Sequence, residues 1–290
     1  MSRTSNLTRK FIFEQADIRG EIVHLDSAYR DIIDIHQYAP GVSQLLGEFL
    51  AACVLLSTTI KFEGRLILQA QSKGQVPLIM AECSNDLTIR AIANGAEQAT
   101  ANDFSTLLHN GQLAITIEPL EGQRYQGIVP LEGNSLAACI ESYFENSEQL
   151  ATRLWLASTE HTAAGLLVQQ LPEQVTKDVQ QRTEQWQHIC TLAETVHSEE
   201  VLELEQEKLL YHLFHEDPLR LFDGEAVRFA CSCSRERCHS ALLAIGTEDL
   251  QALLEEEETI EMDCEFCNQQ YRFTRSDFSA QLGEVPDKLH

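Results

Sequence analysis

Three observations predict an α+β protein in three parts. Short strand-like runs joined by turns, with separate helices among them, fill residues 1–177. Over residues 178–230 the pattern changes to glutamate-rich, helix-like segments, and five of the nine cysteines then crowd between residues 231 and 267. The first part reads as a mostly antiparallel sheet with helices, the second as a helical linker, and the third, residues 231–290, as a small four-cysteine domain.

The elements follow in chain order. Phe11-Ile12-Phe13 and Ile18 to Leu25 have strand composition. Asp26-Ser27 offers an N-cap for a helix through Tyr29, Ile32, Ile33 and His36, which Pro40-Gly41 breaks. From Val42 to about Thr59, apolar residues at Leu45, Leu46, Phe49, Leu50, Cys53 and Val54 give a helix with a broad buried face. Strand signals return at Arg65 to Gln71, Val76 to Cys83, Leu87 to Ile92, Leu113 to Glu118 and Tyr125 to Val129. Lys73-Gly74 and Glu121-Gly122 fall between neighbours as hairpin turns. A helix from Ser135 to about Phe144 and strands through Leu154-Trp155-Leu156 and Leu166-Leu167-Val168 close the part.

This first part carries no Gly-rich phosphate loop, no GxSxG and no HExxH, so the pattern points away from an enzyme. Glu14, Asp17 and Glu21 are neighbouring carboxylates, but charges on a half-exposed strand are expected to be solvated rather than catalytic.

In the linker, Ser198 can cap a helix whose first turn carries Glu199 and Glu200, a placement that suits the helix dipole. Val201 to Glu207 then alternates apolar and polar residues, which is poor for a helical stripe. Leu209, Leu210, Leu213 and Phe214 restore a helical face, and with Leu204 they form an apolar set that needs covering. Such a segment is expected to depend on its neighbours for order, and to dock on the first part. Pattern alone is equally consistent with an ordinary interdomain helix pair.

The last part is the most informative. Cys231-Ser232-Cys233 is followed, thirty residues later, by Cys264-Glu265-Phe266-Cys267. Two thiol pairs with a long insert can converge on one tetrahedral metal centre, and zinc prefers that sulfur-rich set. Ile260 to Asp263 and Tyr271 to Phe273 flank the second pair as a hairpin, the pattern of a zinc knuckle. Most structural zinc sites separate paired cysteines by about two to four residues, so the tighter CxC points to redox chemistry. Ser240 to Leu254 reads as one or two short helices with Thr247 capping the second, and Glu255 to Glu258 as a solvated acidic turn. A unit of about sixty residues has little core and typically needs a staple.

Composition narrows the partners. The net charge is −24, with 45 acidic against 21 basic residues, which argues against nucleic acid and anionic membrane surfaces. The plain consequence of the excess acid is solubility. The opening Met1-Ser2-Arg3-Thr4-Ser5-Asn6-Leu7 lacks the apolar core of a secretory peptide. The longest apolar run, Phe49 to Leu56, is far shorter than the roughly 20 residues that span a bilayer. A cytoplasmic protein using its thiols for metal or redox work is expected. Cys53, inside an apolar run, reads as an inert core residue.

These residues resemble a known family. Cys231-Ser232-Cys233-Ser234-Arg235-Glu236-Arg237-Cys238 with Cys264-x-x-Cys267 is similar to the redox switch of the bacterial 33 kDa heat-shock chaperonins. The similarity runs through the chain, at Tyr38 to Glu48, Lys61-Phe62-Glu63-Gly64, Glu141 to Phe144, Thr152 to Trp155 and Tyr211 to Glu216. The resemblance implies an ATP-independent holdase that is inactive when reduced and zinc-bound. It implies one zinc per chain on Cys231, Cys233, Cys264 and Cys267. It implies oxidation to Cys231–Cys233 and Cys264–Cys267 disulfides with zinc release, linker unfolding, capture of unfolding client proteins and dimerisation of the oxidised form. Cys238, separated from Cys233 by four residues and beside His239, is permissible as a ligand by spacing, but the resemblance leaves it a bystander. Two rival readings are an adaptor with a purely structural zinc site and a thiol–disulfide oxidoreductase using Cys264-x-x-Cys267. The second lacks the βαβ surroundings such motifs normally have.

Overall fold

The computed structural model describes residues 6–60 and 63–282. Residues 1–5, where the opening segment begins, Lys61 and Phe62 of the fourfold motif Lys61-Phe62-Glu63-Gly64, and residues 283–290 lie outside them. The chain divides into two compact units, Met1–Ala230 and Cys231–His290.

The first unit contains β1 (Leu7–Phe13), β2 (Ile18–Leu25), α1 (Ser27–Ile33), α2 (Pro40–Thr59), β3 (Gly64–Gln71), β4 (Leu78–Ser84) and β5 (Thr88–Asn94). It continues with α3 (Phe104–Leu107), β6 (Gln112–Pro119), β7 (Tyr125–Pro130), α4 (Leu136–Tyr143), β8 (Thr152–Ser158) and β9 (Ala163–Gln170). Helices α5 (Val179–Ala193), α6 (Ser198–Glu203) and α7 (Gln206–Phe214) follow, then the short strands β10 (Leu219–Leu221), β11 (Glu225–Ala226) and β12 (Arg228–Phe229).

These strands form two six-stranded sheets. One runs β10-β1-β2-β9-β8 with β11 also on β1, and the other runs β12-β5-β4-β3-β6-β7. Pairing is antiparallel throughout except where β12 lies parallel to β5, so the mostly antiparallel α+β fold expected from the hairpin pattern is what the chain adopts.

Helix α2 is apolar over most of its surface, interrupted by Gln44 and Glu48, which suits a helix largely covered by the fold. It packs against β2, β8 and β9 of the first sheet and β3, β4 and β5 of the second. Every residue from Phe49 to Ser57 is buried. Gly47 allows the close crossing: a Cβ there would lie 2.9 Å from Ser158 Cβ and 3.1 Å from Ala163 Cβ. By length and composition this helix could span a membrane, but 83 % of its apolar window is buried in the fold.

Some boundaries differ from the expected ones. Pro40 opens α2 at its first turn, where a missing N–H costs nothing, and α1 has already ended at Ile33. The Asp26 side chain does not cap α1. Asn6 does that work, its Oδ1 accepting from the N–H groups of Asp26 (2.8 Å) and Ala28 (3.0 Å). Helix α4, expected from Ser135, starts at Leu136, with Ser135 as its N-cap accepting from Ala138 N–H. His197 rather than Ser198 is the N-cap of α6, in a capping box with Glu200.

The linker residues complete this unit. A second core joins Phe11, Phe13, Ile18, Ile22, Leu166 and Val168 of the first sheet to Ile189, Ala193 and Val201 of the helices. Leu209, Leu210, Leu213 and Phe214 are buried in it, and Leu204 is partly buried against it. Phe214 meets Phe13 edge-on, with ring centroids 5.1 Å apart. The segment is helical as far as Phe214, and its end is extended because β1 and β5 offer free edges to β10, β11 and β12.

Asp17 and Glu21 depart from the expectation of solvated strand charges, since both are buried. Asp17 accepts from the N–H groups of Gln174, Val175 and Thr176 and pairs with Arg182 at the start of α5, so it ties the linker to the sheet. Glu21 accepts from the Thr8 hydroxyl at 3.0 Å, and burial pushes its carboxyl up to about 7.

The second unit contains α8 (Arg235–Ala244), α9 (Thr247–Glu256), β13 (Thr259–Asp263), β14 (Gln270–Thr274) and a 3-10 turn at Arg275–Phe278. Its core is small: Leu242, Leu250, Leu254, Ile260, Phe273 and Phe278. Helix α8 starts five residues earlier than Ser240 because the Ser234 side chain caps it, accepting from Arg237 N–H. Gly246, at φ 101°, stands at the N-cap of α9 in place of the expected Thr247. The acidic residues Glu255 to Glu258 are exposed as expected, but Glu255 and Glu256 end helix α9 instead of forming a turn.

Candidate metal centre

Two pieces of the second unit bring the sulfurs together. Cys231 and Cys233 lie on the extended stretch before α8. Arg237, one turn into α8, donates from Nη1 to the Ser232 carbonyl and hydroxyl, both at 2.8 Å, and so holds the CxC segment. Cys264 and Cys267 lie in the turn between β13 and β14. That turn closes through Cys264 N–H to Gln269 O (3.0 Å), Cys267 N–H to Cys264 O (3.2 Å) and Asn268 N–H to Cys264 O (2.8 Å). Asn268 takes the left-handed conformation the turn needs, φ 53°.

The four Sγ atoms all lie within 4.8 Å of one another. Cys231 Sγ is 3.6 Å from Cys264 Sγ, and Cys233 Sγ is 3.5 Å from Cys267 Sγ. A disulfide requires about 2.05 Å, so these are separate thiols. A regular tetrahedron with metal–sulfur bonds of about 2.3 Å has edges of about 3.8 Å, close to the observed contacts. The four residues therefore fit a metal ion.

The local electrostatics favour charged sulfur unevenly. At Cys233 burial works to raise the thiol, but hydrogen bonds from Tyr271 and the other three thiols outweigh it and hold the group below its ordinary value. Burial raises Cys264 and Cys267. The Arg237 guanidinium, bonded to the residue between Cys231 and Cys233, fixes the backbone that carries that pair.

The clustered set is Cys231, Cys233, Cys264 and Cys267, without Cys238. Cys238 packs on the small core instead. Its neighbour His239 stacks on Phe278 with centroids 4.8 Å apart, and its Nε2 lies 3.0 Å from Asp277 O. The apolar linker residues Leu204, Leu209, Leu210, Leu213 and Phe214 belong to the other unit.

Two contributors escape the reading by motif. One is Arg237, and the other is Tyr271, whose hydroxyl is 3.1 Å from Cys233 Sγ. Strand alternation could have found Tyr271, because it shares a face of β14 with the buried Phe273. A further clamp, Arg235, lies 4.5 Å over the Phe273 ring, pairs with Asp277 at 2.8 Å and so fixes α8 to β14.

Comparison with known proteins adds to this geometry. Residues 6–274 match the family model described as Hsp33 protein. A 33 kDa chaperonin of Pseudomonas aeruginosa (strain LESB58) is 48 % identical over 281 residues, covering 96 % of this chain and 94 % of the relative. Another, from Pseudomonas syringae pv. syringae (strain B728a), is 49 % identical over 280 residues, covering 96 % and 93 %. The crystal structure of a 33 kDa chaperonin, a heat shock protein 33 homolog from Thermotoga maritima, aligns with a TM-score of 0.79 at 19 % identity. It covers 96 % of this chain and 98 % of that one, which shows a shared fold.

Proposed function

This chain belongs to the Hsp33 protein family, and from that premise we propose that it is a redox-regulated, ATP-independent holdase rather than an enzyme. The observation that carries the reading is the four-sulfur cluster in a unit whose described residues include a core of six buried apolar side chains. Zinc, when bound, would hold Cys231, Cys233, Cys264 and Cys267 as thiolates and add the staple that so small a core lacks.

The oxidation uses the chain's own sulfurs. One thiolate attacks a hydroperoxide oxygen, the O–O bond breaks, and a sulfenic acid and hydroxide result. A second thiolate attacks that sulfur, the S–S bond forms and a second hydroxide leaves. Two thiolates thus supply two electrons, and two protons from solvent convert both hydroxides to water. Repeating this at the second pair removes the whole ligand set. The family resemblance favours Cys231–Cys233 and Cys264–Cys267 as products. All four sulfurs lie within reach of one another, so small movements suffice for either pairing.

Without its ligand set the second unit should melt, and the linker, residues 178–230, should lose order with it. Undocking would uncover Leu204, Leu209, Leu210, Leu213 and Phe214 together with the sheet residues beneath them, an apolar surface for unfolding proteins in the cytoplasm. The oxidised form would act as a homodimer.

The test pairs two measurements on the reduced protein: zinc content, and suppression of aggregation of a heat-denatured client before and after peroxide. One zinc per chain, released by peroxide as suppression appears, is expected. Cys238→Ser should keep the metal and Cys231→Ser should lose it. A purely structural site would keep its zinc and stay inactive, and a thiol–disulfide oxidoreductase would instead reduce insulin.

A further inference from the structure

A side chain that touches the sulfur cluster carries a removable donor. Tyr271 sits on β14, three residues beyond the CxxC turn. Its Oη lies 3.1 Å from Cys233 Sγ, and a sulfur held as a thiolate has no proton to give, so the phenol donates. The CxxC sulfurs are served differently. Cys264 takes the N–H groups of Phe266 and Cys267, and Cys267 takes that of Gln269. Those donors belong to the turn itself, whereas the hydroxyl on Cys233 depends on one side chain.

We propose that Tyr271 is a positioning residue for the switch: its hydroxyl holds Cys233 in the ligand set and restrains its oxidation. A hydrogen bond to thiolate sulfur ties up a lone pair that would otherwise attack peroxide, and it orients the sulfur so that another lone pair faces the space between the four sulfurs. The bond crosses from β14 to the stretch before α8, so it joins the two halves of the site. The restraint rests on the redox reading above, while the positioning does not.

Tyr271→Phe removes the hydroxyl and keeps the ring. Competition with a chromogenic chelator should show zinc affinity about tenfold weaker, and timed alkylation with mass spectrometry should show Cys233 oxidised by hydrogen peroxide several-fold faster. Amide exchange of the zinc-loaded variant reports whether the unit is folded. Replacement of Tyr271 by 3-fluorotyrosine, a stronger donor of nearly the same shape, should move both readouts the opposite way below neutral pH, which a merely structural ring would not do. Zinc affinity and Cys233 oxidation within twofold of wild type in both variants would overturn the proposal. If wild-type thiols resist peroxide altogether, the redox reading fails, and chelator competition still decides the positioning role.

Discussion

The two units are held together by different means. In Met1–Ala230 an apolar helix is enclosed by two sheets, and α5, α6 and α7 cover the outer face of one of them. In Cys231–His290 six apolar residues form the core, and four half-buried sulfurs sit beside it. Burial distributes stability over many residues, so no single chemical event removes it. A four-thiolate site concentrates it: apparent metal binding in small domains is worth about 10–16 kcal/mol, and one oxidant acts on all of it. The contrast explains how a chain could couple a chemical signal to partial unfolding without losing its larger domain.

The comparison can be broken from the side of the first unit by loosening the linker without touching the sulfurs. Leu209 and Leu213 are both buried against the first sheet. A buried leucine truncated to a small residue costs about 2–5 kcal/mol, and covering roughly 400 Å² of apolar area is worth about 10 kcal/mol before entropy is subtracted. Leu209→Ser with Leu213→Ser should therefore undock much of the linker and give partial aggregation suppression in reduced, zinc-loaded protein. A variant that stays inactive until oxidised, with normal zinc content and normal linker protection, shows that the linker is not the latch.

A smaller effect sharpens the comparison through pH. Burial raises Glu21 from 4.5 to about 7, so the folded chain keeps a proton that the unfolded chain releases. Stability of the first unit should be greatest below about pH 4.5 on this account and fall as pH rises to about 7. Glu21→Gln can still accept from Thr8 and should flatten that slope, gaining up to roughly 3 kcal/mol above pH 7 and little below pH 4. Urea denaturation across that range checks it, and parallel curves for the two proteins would count against a buried neutral Glu21. The metal content of the second unit should not change.

Much of this arrangement was legible in the residues, and the failures have physical causes. Strands β1 to β9 and α2 announce themselves by local pattern, because each buries apolar side chains of its own. Asp17 and Glu21 are buried against the pattern because alternation reports one sheet face at a time, and the linker and α2 cover faces that the pattern leaves open. Strands β10, β11 and β12 are only two or three residues long and form because an edge is available, a fact that no local window contains. Likewise the CxC and CxxC spacing locates the cluster, while the hydroxyl of Tyr271 and the guanidinium of Arg237 reach it through strand direction and helix phase. Motifs name ligands more readily than the groups that steer them.

The second unit and the linker should depend on the four sulfurs, and the rest of the first unit should not. Amide hydrogen exchange of the zinc-loaded protein, before and after peroxide, tests this most directly. The account predicts that oxidation raises exchange across residues 178–282 while the strands of residues 7–170 and α2 keep their protection. Protection unchanged in every segment, or lost equally in both units, would contradict it.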